Sequence, residues 1–174
     1  MVCQAHELVV RSIPPPLCSL GLECGLCDLT VCYTDACLIG MAYYYPELGY
    51  QYCIPEEDQG GTIFLYEAAT MTAFMLHKLN CPQLQLAIHT DSHNTVNIWN
   101  LLKVPQDYND LLHMAIDSML LNAFDIQVLH ILRSKNLVAN ALSQGNNSYA
   151  QYIMLVLIIH PLKPPCDSLG TAQK

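Results

Sequence analysis

The sequence predicts an α/β domain in which a mixed sheet of five strands is covered by helices. Three observations carry that expectation. β-rich runs and helical segments succeed one another between residues 29 and 145 in the order strand, strand, strand, helix, strand, helix, helix, strand, helix. The stretch 62–79 contains neither Gly nor Pro and is dense in Ala, Met and Leu, which suits a buried helix better than a strand. Two of the strands also end alike, as Val31-Cys32-Tyr33-Thr34-Asp35-Ala36 and Leu86-Ala87-Ile88-His89-Thr90-Asp91-Ser92.

The elements follow from local chemistry. Residues 1–28 carry Pro14, Pro15 and Pro16, which favour extended geometry, so this stretch reads as a leader or linker. From 29 to 34, Leu29, Val31 and Tyr33 alternate with Thr30, Cys32 and Thr34, and 38–45 continues β-rich after a short break. A third strand at 51–54 ends at Pro55 and the polar loop 56–61. After the helix at 62–79, a short strand is expected at 84–88. Ser92 is placed to cap a helix reaching about residue 103, with Val96, Trp99 and Leu102 on one stripe. Residues 108–123 read as helix, 126–132 as strand and 136–143 as a closing helix broken by Gly145, Asn146 and Asn147. Residues 146–174 then read as a C-terminal tail or linker.

Length and composition set the outer limits. The 174 residues suffice for one domain with tails, and a chain 52% hydrophobic and 13% charged has the balance of a buried globular core. The net charge of -8 is unusual for a nucleic-acid protein, since Lys and Arg normally supply the phosphate contacts. The central segment holds only Lys78, Lys103, Arg133 and Lys135. Tight autonomous binding to a duplex is therefore not expected. Nine cysteines, an odd number, with no signal-like opening segment, point to a reducing intracellular setting, nucleus or cytoplasm. The apolar run 152–159 is far shorter than the roughly 20 residues that cross a bilayer, so no membrane insertion is expected. Cys24-Gly25-Leu26-Cys27 lacks the second ligand pair of a structural zinc site and the strand-to-helix setting of a redox pair. No Gly-x-Ser-x-Gly elbow occurs, and nothing fixes a base beside any cysteine.

What remains is carboxylate chemistry. Parallel strands joined by helical crossovers present their carboxyl ends to one edge, where open α/β sheets bind ligands. If the two Thr-Asp strands are neighbours, Asp35 and Asp91 face one another. Either aspartate alone would be read as a cap on the next element. Glu67 adds a third carboxylate among Phe64, Leu65, Ala68, Met71 and Phe74, where it needs a cation, hydrogen bonds or a raised pKa. His89 and His93 flank Asp91 and read as surface or capping residues, and His130, inside a strand, reads as structural.

Several blocks together resemble the ribonuclease H domains of fungal retrotransposon polyproteins: YTDACLIGMAYYYPE at 33–47, GTIFLYEAATMTAF at 61–74, IHTDSHNTVNIWN at 88–100 and VLHILRSKNLVANALSQ at 128–144. KPPCDSLGTAQK at 163–174 is similar to the segment that follows such domains. The resemblance implies a ribonuclease H-like mixed five-stranded sheet with helices on both faces. It places Asp35, Glu67 and Asp91 on three of the family's four metal-ligand positions and Asn140 on the fourth. It also implies hydrolysis of the RNA strand of an RNA/DNA hybrid with Mg²⁺, or Mn²⁺, beside a reverse transcriptase domain in cis or trans. In that chemistry two ions about 3.5 to 4 Å apart activate the attacking water and stabilise the leaving oxygen. The family carries Asp in Ala-Asp-Ala-Leu-Ser, whereas this chain reads Ala139-Asn140-Ala141-Leu142-Ser143. Asn is isosteric but uncharged, so weakened cleavage is expected. The loop Arg133-Ser134-Lys135-Asn136 also lacks the histidine found there in many relatives. The competing expectation is a catalytically degenerate structural or connection domain of a reverse transcriptase.

Overall fold

The computed structural model describes residues 29–78, 85–102, 109–123 and 125–165. The leader 1–28, with its prolines and the Cys24/Cys27 pair, and the last part of the tail from 166 lie outside the described residues.

Three strands open the fold as an antiparallel meander, β1 (Leu29–Cys37), β2 (Gly40–Tyr45) and β3 (Leu48–Cys53). Pro46 and Glu47 make the tight turn into β3, with Glu47 in the left-handed region at φ 70°. After helix α1 (Ile63–His77) the chain returns as β4 (Gln85–Thr90), parallel to β1. Helices α2 (His93–Leu101) and α3 (Asn109–Asn122) lead to β5 (Asp125–His130), parallel to β4. Helix α4 (Leu137–Ser143) closes this series.

Regular structure continues past residue 145. Helix α5 (Asn147–Ile153) and strand β6 (Ile158–Pro161) come next, and β6 pairs in parallel with β3. The sheet therefore has six strands in the order β5-β4-β1-β2-β3-β6, one more than the expected five. The extra strand comes from residues read as tail. At four residues it is too short to show an alternating pattern, and it is held through tertiary pairing: Ile158 N donates to Glu47 O at 2.8 Å and Leu162 N to Gln51 O at 2.7 Å. Buried Leu157 and Leu162 flank it.

Helices pack on both faces. One core joins α1, α3 and the sheet through Tyr43, Tyr66, Met71, Phe74, Ile88 and Leu112. The other joins Ala42 and Tyr44 of β2 to Val138, Ala139 and Leu142 of α4 and Ala150 of α5. Helix α1 is buried around most of its circumference, as a helix lying between a sheet and another helix must be. Its Thr70 and Thr72 hydroxyls donate back to Tyr66 O and Ala68 O at 2.7 and 2.9 Å, so neither brings an unpaired group into the core. The expected cap holds: Ser92 Oγ accepts from Thr95 N at 3.3 Å and starts α2.

Candidate functional site

The parallel pairing of β1 with β4 builds the site. Tyr33 lies opposite His89, and two residues further along each chain come Asp35 and Asp91, whose carboxyl groups interact. Strand β1 runs to Cys37, so Asp35 stands inside a strand whereas Asp91 is the first residue beyond β4. The two Thr-Asp ends are thus neighbours, with the threonines tying them down: Thr34 Oγ1 donates to His89 O at 3.4 Å, and Thr90 Oγ1 accepts from Ser92 N at 3.2 Å.

Asp35 is buried, and Ser143 of α4 donates its hydroxyl to Asp35 Oδ2. That contact exists because α4 lies directly on the sheet at Gly40. A Cβ there would stand 2.2 Å from Ser143 O, so only glycine admits the helix this close. Burial pushes the Asp35 carboxyl up to about 7. The Ser143 hydroxyl and the Arg133 charge oppose the shift, and neighbouring Asp91 adds to it. Burial is the larger cause, and the second carboxylate beside it adds to the same direction.

Glu67 belongs to the same edge but is held back from it. Thr95 Oγ1 donates to Glu67 Oε2 at 2.7 Å. Burial raises its pKa, hydrogen bonds from Ser92 and Thr95 oppose that, and the charge of Asp91 raises it further. Asn140 presents no free oxygen to the aspartates: its Oδ1 accepts from Arg133 Nη2 at 3.2 Å and from Gln144 Nε2 at 3.1 Å.

The structure therefore brings Asp35 and Asp91 together, sets Glu67 within electrostatic reach of Asp91, and turns Asn140 toward Arg133. Among the described residues, no group of three or more His, Cys, Asp or Glu stands close enough to hold a metal ion. The hard carboxylate oxygens of Asp35 and Asp91 suit one divalent cation, and Glu67, bonded by Thr95, acts on Asp91 through its charge alone. It does not suit a second ion at Asn140, whose neutral oxygen already faces two N–H donors.

The flanking histidines are engaged elsewhere. His89 stacks on Tyr33 at 4.9 Å, and His93 stacks on His130 at 3.7 Å between ring centroids. Ser143, Thr95 and Arg133 were not singled out from the sequence. A helical spacing of three residues between Asn140 and Ser143 was the available signal for the first. Nothing local marks the other two. Asn136 was also missed: it is fully buried and donates from Nδ2 to Thr34 O at 2.9 Å, pinning the start of α4 to β1.

The class so defined is an α/β protein with an acidic pair at the carboxyl edge of its parallel strands. Compared with protein families and with curated proteins, the chain matches none. Solved structures do match. Ribonuclease H1 from the halophilic archaeon Halobacterium salinarum aligns with a TM-score of 0.51 at 16% identity, over 70% of this chain and 98% of that one. The N-terminal ribonuclease H domain of a Mycobacterium tuberculosis protein, in a fusion with maltose-binding protein, aligns with a TM-score of 0.53 at 16% identity, over 72% of this chain and 98% of that one. At such identities the likeness is one of fold, and the fold is ribonuclease H-like.

Proposed function

We propose that this chain is a ribonuclease H-like domain that acts on the RNA strand of RNA/DNA hybrids through a weakened acidic site. The observation that supports this most is buried Asp35 beside half-buried Asp91, with the raised Asp35 pKa, at the edge where parallel strands of open α/β sheets receive ligands. Asp35 and Asp91 would hold a divalent cation, Mg²⁺ or Mn²⁺, with the Glu67 carboxylate, hydrogen-bonded by Thr95, adding negative charge nearby. Bound there, the cation would supply Lewis-acid polarisation of the scissile phosphate. Ser143 fixes the Asp35 carboxylate, and the exposed Arg133 guanidinium offers phosphate a charge-assisted contact. Asn140 lowers the charge of the site and weakens cleavage. By the resemblance of its sequence blocks, the domain is retroelement-derived and works beside a reverse transcriptase domain, in cis or trans, in nucleus or cytoplasm.

A second reading, a catalytically degenerate connection domain, is favoured by one observation: Arg133 and Gln144 occupy the Asn140 oxygen. The assay that separates the two measures cleavage of a labelled RNA/DNA hybrid in Mg²⁺ and in Mn²⁺. Slow cleavage by the wild type, lost in Asp35→Asn and raised in Asn140→Asp, is the expected result. If a folded Asn140→Asp protein is as inactive as the wild type, this position does not limit activity and the connection reading stands. Cleavage by the wild type at the rate of an intact ribonuclease H would remove the degenerate reading.

A further inference from the structure

The sheet ends at β6, and among the described residues no strand pairs beyond it. The register sets the chemistry of that edge. Ile158 N donates to Glu47 O and Leu162 N to Gln51 O, so Ile158, His160 and Leu162 turn their backbone groups to β3, and Ile159 and Pro161 turn theirs outward. Pro161 has no N–H to offer. Leu157, on the other side of Ile159, already uses both of its groups: its N–H donates to Met154 O at 3.0 Å, and its O accepts from Gln151 Nε2 at 3.3 Å. One complete donor and acceptor set stays open on the edge, at Ile159.

A second copy of the chain complements this edge. In an antiparallel pair, two residues opposite each other at a hydrogen-bonded position exchange N–H···O bonds in both directions. With Ile159 opposite Ile159 of the second copy, the open groups satisfy each other. Pro161 then falls opposite Leu157 of the second copy, so the missing proline N–H meets a carbonyl that Gln151 already satisfies. Ile158 falls opposite His160 as a close cross-strand pair.

The surrounding surface suits the same occupant. No Asp, Glu, Lys or Arg occurs between Lys135 and Lys163. Copies of a chain of net charge -8 repel one another, and an uncharged stretch is where that repulsion is least. Tyr149, Tyr152 and Ile153, spaced i, i+3 and i+4, form an exposed stripe on α5 while Ala150 faces the core. Leu155, Val156 and Ile158 carry it onto β6, with Tyr152 76% and Leu155 86% exposed. Together the six leave on the order of 800 Å² of mostly apolar surface open, about one partner's share of a standard interface and more than a monomer's largest patch usually amounts to. The antiparallel arrangement also directs exposed Glu47, beside Ile158, toward the end at which exposed Lys163 of the second copy leaves its strand.

We infer that the β6 edge and the α5 stripe form an interface with a second copy of this chain, an isologous dimer whose two sheets join antiparallel about Ile159. The interface is independent of any cleavage activity. Sedimentation velocity of the full chain across a concentration series tests it, and a reversible monomer–dimer equilibrium that goes no further is expected, because an isologous contact closes. Tyr152→Glu/Leu155→Glu should weaken the dimer at least tenfold without changing the circular dichroism. Leu120→Glu/Leu121→Glu, which adds the same charge at exposed positions of α3, should leave it intact. Lys163→Glu should weaken it severalfold, and adding Glu47→Lys should restore it. A monomer at every concentration, assemblies larger than a dimer, equal loss in the α3 variant, or no rescue by the charge swap would overturn the inference. In the monomeric case, nitration of Tyr152 read by mass spectrometry names the true occupant: resistance assigns the stripe to another segment of this chain, and ready modification assigns it to a different protein.

Discussion

Ser143, the last residue of α4, donates its hydroxyl to the buried carboxylate of Asp35, 108 residues earlier in the chain. This contact joins the second core to the acidic edge, so changes in α4 docking are read out at Asp35.

Removing the hydroxyl should expose that link. Ser143→Ala leaves Asp35 buried with one partner fewer, and its pKa should climb above the already raised value of about 7. A stability loss of about 1–3 kcal/mol is expected from the lost bond to a charged group. Carboxyl-carbon NMR titration and urea unfolding above neutral pH measure the two effects.

Gly40 should tolerate no side chain. In Gly40→Ala the new Cβ would meet backbone at Ser143 O, 2.2 Å away, whereas in Gly49→Ala it would meet the flexible end of Leu142 at 3.0 Å. The first substitution should lower stability by about 1–3 kcal/mol through overpacking and the second by clearly less. Thermal unfolding of the two variants side by side checks the order.

Stability should depend on pH through Asp35. Its folded pKa, raised by burial to about 7, exceeds the unfolded value near ~3.9, so the folded state holds a proton that the unfolded state releases. The contribution is fully present below about pH 4 and is lost as pH rises through 7. Glu67, raised by burial, acts in the same sense, and His77, lowered by burial, acts in the opposite one. The difference between wild type and Asp35→Asn in urea midpoints from about pH 4 to 8 isolates the aspartate, and a constant difference across that range would refute its assignment.

Arg133 should matter to polyanion binding more than to folding, since it is exposed and bonds Asn140 from the solvent side. Arg133→Ala should weaken hybrid binding and reduce the slope of log K against log salt by about one contact. Filter binding across a salt series reads that slope.

The opening strands, the helix expected at 62–79, the Ser92 cap and the closing helix were legible because each has a local signal: alternation, absence of Gly and Pro, or a capping hydroxyl. The meeting of Asp35 with Asp91 was legible for a different reason, the repeated Thr-Asp ending on two apolar strands. Strand β6 was not, because its four residues depend on pairing with β3. Nor was the fate of the Asn140 oxygen. Its isosteric shape suggested a weakened ligand, but only the tertiary position of Arg133 shows that two N–H donors already face it.

Manganese binding followed by electron paramagnetic resonance tests the acidic site most directly. The wild type should bind one Mn²⁺ weakly, Asp35→Asn should abolish that binding, and Asn140→Asp should tighten it severalfold or admit a second ion. Failure of the folded wild type to bind any Mn²⁺, or binding that Asp35→Asn leaves unchanged, would contradict a metal site at the Asp35–Asp91 edge.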